Sequence, residues 1–301
     1  MTPTVAVRSE TVSARLTDKG VLGTAQTSPY QLCLEMGKDR FRFCIVEPAA
    51  RKEDRAICHW LEDYTFPTLV TDYPLLPALK TLQEEHAVFQ NHDWKQVIVS
   101  LNTPTFTLVP SVLFRKEYAS HYLQMTRGSA LPATEQTHTY AHQDEGFHSI
   151  FNLEIRLQDW LAAAFPLQQL TILHQTSTVL HASKGRKSGG YELILYFEEE
   201  YVTLVAREAG ALKFCNKFGY KNTSDLVYYI LFVISELKRQ PAEMEVVLYG
   251  EITPFADSYT LMARFLPRLS FGLPPDALAF TGDFDELPEH RYASLFSLGL
   301  L

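Results

Sequence analysis

The sequence predicts an α/β protein built from two similar lobes, and three observations carry that prediction. L-C-L-E-M-G-K-D-R-F-R-F-C-I-V-E (Leu32 to Glu47) and E-L-I-L-Y-F-E-E-E-Y-V-T-L-V-A-R (Glu192 to Arg207) share a strand–turn–strand layout, with the turn at the same relative place. Each hairpin is followed by a third strand, a helix and another strand, so the order β-β-β-α-β occurs twice. S-K-G-R-K-S-G-G, Ser183 to Gly190, has three glycines, three bases and no apolar side chain, the composition of a linker between copies. Strands alternating with helices build α/β layers, here with antiparallel hairpins at the sheet edges.

Taken in order, residues 1–28 are rich in Thr and Ser and read as a loose lead-in, with an edge strand in T-V-A-V-R. The first lobe spans 29–184. If Lys38-Asp39 is a two-residue turn, Cys33 and Cys44 sit opposite each other across its hairpin. A-I-C-H-W-L-E supplies the third strand. Leu75, Leu79, Leu82 and Phe89 then recur at helical spacing, with His86 in the same stripe as a partly buried imidazole. K-Q-V-I-V-S-L from Lys95 follows as a strand. The second lobe spans 185–301, with A-L-K-F-C-N-K-F as its third strand. Its helix, T-S-D-L-V-Y-Y-I-L-F-V-I-S-E-L, opens on capping residues and is apolar nearly all round, which predicts a helix sandwiched in the interior. M-E-V-V-L-Y-G from Met244 completes the copy. A last predicted helix opens at Pro254 under a Thr253 cap, with Phe255, Tyr259, Met262 and Phe265 on its buried face.

Composition narrows the function classes. The 301 residues are 46% apolar and 21% charged, an ordinary soluble mix. A net charge of -8 without clustered Lys and Arg argues against general nucleic-acid or anionic-membrane binding. No secretory signal opens the chain, and the longest apolar run, Leu226 to Ile234, is too short to span a bilayer. A cytoplasmic protein without membrane insertion is the expectation. Cys33, Cys44, Cys58 and Cys215 lack C-x-x-C spacing and read as buried thiols rather than a redox pair.

The duplicated unit resembles the actin-like ATPase (ribonuclease H-like) fold of actin, Hsp70 and sugar kinases, with two lobes about a central cleft. L-V-P-S-V-L-F from Leu108, N-K-F-G-Y-K-N-T-S-D-L-V-Y-Y-I-L-F-V from Asn216 and V-V-L-Y-G-E-I from Val246 resemble an uncharacterised bacterial domain-of-unknown-function family given that fold. The resemblance runs from residue 29 onward. It implies hairpin turns that cradle nucleotide phosphates and a later glycine-bearing strand end that meets adenosine.

The candidate residues depart from that pattern. The first turn, E-M-G-K-D-R, keeps Gly37 and offers Lys38 to an anion, but the expected Asp and Ser/Thr run are missing; Glu35 and Asp39 are the nearby carboxylates. A plain hairpin, with Glu35 and Arg42 as a cross-strand ion pair worth under ~1 kcal/mol, accounts for the same residues. The second turn replaces Gly and Thr by Glu198, Glu199 and Glu200, with no local basic cluster to offset them. Like charges ~4 Å apart repel by about 4 kcal/mol at an effective dielectric of ~20, so this turn is expected to face water or a basic partner. In Y-G-E-I, Gly250 is kept, but Glu251 occupies space a nucleotide needs. We therefore expect a non-catalytic scaffold with a protein partner and no cofactor. The alternative is a divergent ATP-binding protein holding ATP and Mg through Glu35, Gly37, Lys38, Asp39, Gly250 and Glu251. In H-T-Y-A-H-Q-D-E-G-F-H, His138 and His142 have the i, i+4 spacing of helical metal ligands, with Asp144 or His148 to complete a set. Gly146 and the polar context favour a solvated loop.

Overall fold

The computed structural model describes residues 11–17, 29–66, 75–90, 93–166, 168–184, 190–198, 200–281, 284 and 288–301. The chain divides into two compact units. One is Met1–Gln175 with Ala277–Asp285 and Leu298–Leu301, and the other is Thr176–Asp276 with Glu286–Ser297. The boundary thus falls ahead of the glycine- and base-rich run, whose residues 185–189 lie outside the described residues.

The first unit contains β1 (Thr11–Thr17), β2 (Gln31–Met36), β3 (Arg40–Glu47), β4 (Ala56–Thr65), α1 (Leu75–Glu85), α2 (Ala87–Gln90) and β5 (Gln96–Leu101). After these come β6 (Phe106–Pro110), α3 (Ala119–Arg127), β7 (Glu135–His142), β8 (Phe147–Glu154), α4 (Ile155–Ala164) and β9 (Leu170–His174). Its main sheet is ordered β1-β4-β3-β2-β5-β9, and β6, β8 and β7 form a separate three-stranded sheet. Between α5 (Gln175–Lys184) and the end of the chain lie β10 (Tyr191–Phe197), β11 (Tyr201–Glu208), β12 (Ala211–Gly219), α6 (Thr223–Glu236), β13 (Met244–Gly250), α7 (Asp257–Met262), β14 (Leu269–Phe271), β15 (Leu278–Phe280) and α8 (Ala293–Leu298). The second unit's sheet is ordered β12-β11-β10-β13-β14, while β15 returns to the first unit to pair parallel with β4.

The predicted repeat is present as topology. β4-β3-β2-β5-β9 and β12-β11-β10-β13-β14 have the same order, with an antiparallel hairpin followed by a parallel return beside its first strand. β2 and β10 are central, flanked on both sides and buried along nearly their whole length, which is why both read as near-continuous apolar runs. Cys33 lies opposite Cys44, as the turn placement predicts, and both are buried thiols outside any disulfide. One face of the first sheet packs Leu32, Leu34, Phe41 and Phe43 against Leu79 of α1 and Phe89 of α2.

Several predicted boundaries shift for identifiable reasons. The stretch T-V-A-V-R lies outside the described residues; the lead-in contributes its strand at Thr11–Thr17, antiparallel to β4. The first helical stripe breaks at His86, whose Nδ1 accepts from the Val88 N–H at 3.2 Å and restarts the helix as α2. The second lobe's helix is not sandwiched. It buries Leu226, Ile230, Val233 and Ile234 and leaves Tyr228 and Phe232 exposed, stacked on each other at 6.1 Å. The cap of that helix is Asn222, one position before Thr-Ser-Asp, and its side chain accepts from the Asp225 N–H at 2.9 Å. α7 starts at Asp257 rather than Pro254, without a side-chain cap, and Phe255 and Phe265 are exposed while Met262 is buried.

Removing the Asn222 cap with Asn222→Ala should lower unfolding stability by about 1 kcal/mol in a urea titration.

Candidate functional site

The turn of the first hairpin is held by backbone hydrogen bonds. The Gly37 N–H donates to the Arg40 carbonyl at 2.8 Å, and the Asp39 carbonyl accepts from the Phe66 N–H at 2.7 Å. Gly37, Lys38 and Asp39 all lie outside the left-handed region of backbone space. A phosphate nest needs successive N–H groups turned to one side, which an alternation of right- and left-handed residues provides. This turn has no such alternation. A Cβ on Gly37 would meet the Arg40 carbonyl at 3.6 Å, an ordinary contact, so glycine is not sterically required there. Lys38 is exposed at the tip.

Glu35 is not the surface residue its cross-strand pairing suggests. It is buried opposite Arg42, whose guanidinium donates to its carboxylate at 2.9 Å. Arg42 also reaches Asp63 at 3.3 Å, and Arg40 grips Asp63 with two hydrogen bonds of 2.8 and 2.6 Å. The result is an alternating acid–base row, Glu35–Arg42–Asp63–Arg40, across three strands. The ion pair expected at the surface is instead interior, where loss of one partner leaves a charge without water. On β4 next to it, the fully buried Glu62 accepts from Trp60 Nε1 at 3.1 Å, from the Tyr64 hydroxyl, and pairs with His86 at 3.3 Å. His86 is thus partly buried with both ring nitrogens engaged. Behind the hairpin, burial pushes the Cys44 thiol well up, with hydrogen bonding among Cys33, Cys44 and Cys58 adding to it. Such thiols are inert rather than nucleophilic.

In the second unit the acidic turn is partly neutralised from within. Glu198 reaches Lys217 on β12 at 2.7 Å, both side chains being largely buried, and the same ammonium lies 4.9 Å above the Tyr201 ring. This corrects the expectation that nothing offsets the three glutamates: the base comes from a strand two places along the sheet. Burial, then the Glu198 charge, raises the pKa of Tyr220 beside it. Glu200 is exposed, and Glu199 lies outside the described residues.

Gly250 does require glycine, for an internal reason. Its φ is +82°, and a Cβ would stand 2.1 Å from the Phe197 carbonyl oxygen. The direction a side chain would take at this residue is thus filled by the backbone of its register partner on β10. Its N–H donates to the His290 carbonyl at 3.0 Å, and Glu251 is clamped by two contacts from Arg291, each 3.1 Å.

The histidines are on strands, not in a loop or on a helix. His138 and His142 share a face of β7, while His148 on β8 pairs with Ala141 and so points to the opposite face. His142 stacks on Phe147 at 4.5 Å and His148 on Phe114 at 3.9 Å, so ring packing accounts for both. Among the described residues no group of three His, Cys, Asp or Glu is placed to hold a metal ion. None of the candidate residues borders the groove of about 700 Å³ between α1 and α4, whose walls include Leu76, Lys80, Arg156, Asp159 and Trp160. Sequence reading missed Asp63, Lys217 and Arg291. Asp63 was reachable, since continuing the strand register places it opposite Arg42; Lys217 and Arg291 had no local signal.

A family model described as "Protein of unknown function (DUF3822)" matches residues 21–269. No curated protein matches the sequence. Among solved structures, a Bacteroides thetaiotaomicron protein with an actin-like ATPase fold and unknown function is similar, at 17% identity and a TM-score of 0.73, covering 91% of this chain and 97% of that one. The structure described as "PilM-PilN type IV pilus biogenesis complex" is also similar, at 13% identity and a TM-score of 0.63, covering 90% and 97%. The fold is actin-like. Among the described residues no helix is long and apolar enough to cross a membrane.

Two substitutions should separate required from dispensable glycine. Gly250→Ala should cost about 2 kcal/mol of stability, whereas Gly37→Ala should change it by less than ~0.5 kcal/mol, both read by urea denaturation. Arg42→Met should cost about 3–5 kcal/mol by the same measurement. A loss below ~1 kcal/mol would mean that the row behaves as an exposed pair.

Proposed function

The chain belongs to the DUF3822 family, and we propose that it works as a non-catalytic scaffold or interaction module on an actin-like frame, without nucleotide chemistry. What supports this most is the condition of Gly250. It is the one retained glycine of the implied nucleotide motifs that the backbone demands, and the Phe197 carbonyl already fills the position its missing side chain frees. Glu35, Glu198 and Glu251 point the same way, because each is tied to an arginine or lysine of its own unit instead of being left to orient metal or water. The similar pilus-biogenesis structure is that of a PilM-PilN complex, which fits an interaction role by analogy of fold alone.

One observation favours the alternative, a divergent ATP-binding protein or ATPase: Lys38 is exposed at the tip of the first hairpin, where an ammonium could meet a phosphate. A thermal-shift titration with Mg-ATP decides between the two, since a ligand bound only by the native state raises the melting temperature by mass action. We expect no shift at millimolar nucleotide and no phosphate release by the purified protein. A saturable shift that Lys38→Ala abolishes, or turnover lost in Glu35→Gln, would replace the scaffold reading with the alternative.

A further inference from the structure

α3 carries two apolar stripes where one would suffice. Ala119 and Leu123 are buried against Val109 and Ile150 of the three-stranded sheet. Tyr118, Tyr122 and Met125 recur at the i, i+4, i+7 spacing of a neighbouring face; Tyr122 leans onto the buried cluster, while Tyr118 is 53% and Met125 83% exposed. The turn after β6 extends that face with Val112, 81% exposed, and Leu113, 64% exposed. Its placement is fixed. The Tyr122 hydroxyl donates to the Leu113 carbonyl at 2.8 Å and accepts from the Arg115 N–H at 3.3 Å, while Phe114 stacks on Tyr122 at 6.3 Å and on His148 at 3.9 Å. Gly128, at φ +75°, caps the helix through its N–H to the Gln124 carbonyl at 2.8 Å. Four large side chains are therefore held out in water on an ordered frame, the signature of an interaction surface.

The charge around this face differs from that of the chain. Residues 110–134 carry Arg115, Lys116 and Arg127 against Glu117 alone, a local excess of two positive charges in a protein of net charge -8. Arg127 is engaged with Glu135 at 3.0 Å, but Arg115 and Lys116 are exposed beside Leu113 and Tyr118. We propose that this face docks an acidic amphipathic segment of a partner protein. Its apolar side chains would lie on Leu113, Tyr118 and Met125, and its carboxylates would meet Arg115 and Lys116. The inference rests on the interaction-module reading and gives it a surface and a partner chemistry. An anionic lipid surface fits less well, because the acidic remainder of the chain is repelled by it. Face-to-face pairing of two copies would set like charges together.

The test uses the full chain and a synthetic amphipathic helical peptide, with Leu and Phe on one face and Glu on its flanks. Its control has every Glu changed to Lys. Fluorescence anisotropy should show binding of the acidic peptide, weakened by salt, and no binding of the control. Leu113→Ser with Met125→Ser should weaken binding about tenfold or more, as loss of central apolar anchors does, and so should Arg115→Glu with Lys116→Glu. All four positions are exposed, so an unchanged melting temperature certifies folding of the variants. The proposal fails if neither peptide binds, if both bind alike, or if the substitutions leave binding unchanged. It also fails if vesicles of anionic phospholipid bind at this face instead, or if Met125→Ser abolishes a dimer seen in sedimentation. Mg-ATP turnover would sink the scaffold reading without altering any of these results.

Discussion

A carboxylate removed from water must be given a cation or a set of donors, and that constraint organises the hairpins of this protein. In the first unit, Glu35 and Asp63 share Arg42, and Arg40 completes the row. Glu62 below them is satisfied by an indole, a phenol and an imidazole. In the second unit, Glu198 is met by Lys217 and Glu251 by Arg291. Of these acids, Glu35, Glu198 and Glu251 lie in or beside the turns for which the resemblance implies nucleotide contacts. A charge already balanced at 2.6–3.3 Å within its own unit is a poor instrument for binding a diffusible one, because freeing it would strand its partner.

The same topology that places these acids also distinguishes the two units. Both use one strand order, but after β5 the first inserts β6, β7, β8 and α3 before resuming with α4 and β9. The second goes from β13 through α7 directly to β14. The exposed apolar and basic face belongs to that insertion. The frame is duplicated; the insertion is not.

The repeat was legible because buried central strands leave continuous apolar runs and turns leave polar ones, and both signals are local. Cys33 opposite Cys44 followed from the turn position alone. What could not be read was anything depending on packing between distant stretches. Lys217 meets Glu198 only because β12 lies antiparallel to β11 in a register that sets Lys217 opposite Thr203. α6 looks wholly apolar because Tyr228 and Phe232 count as hydrophobic, yet the sheet covers one side of it only. The requirement for glycine at 250 and its absence at 37 look identical in sequence; a carbonyl 2.1 Å away in one case and 3.6 Å away in the other separates them.

β15 bears on how such a chain is made. Cys58 of the first sheet accepts, through its carbonyl, a hydrogen bond from Thr281, 223 positions later, and Gly299 lies close against Val46 because a side chain there would overlap the valine methyls. During vectorial synthesis the ribosome releases β2 to β5 long before these closing segments exist. The first unit must therefore wait, with the Ala56–Cys58 end of β4 lacking its β15 partner, until the whole second repeat has been translated. Closure over so long a loop is slow, and the interval leaves an open strand edge that nascent-chain chaperones are suited to shield.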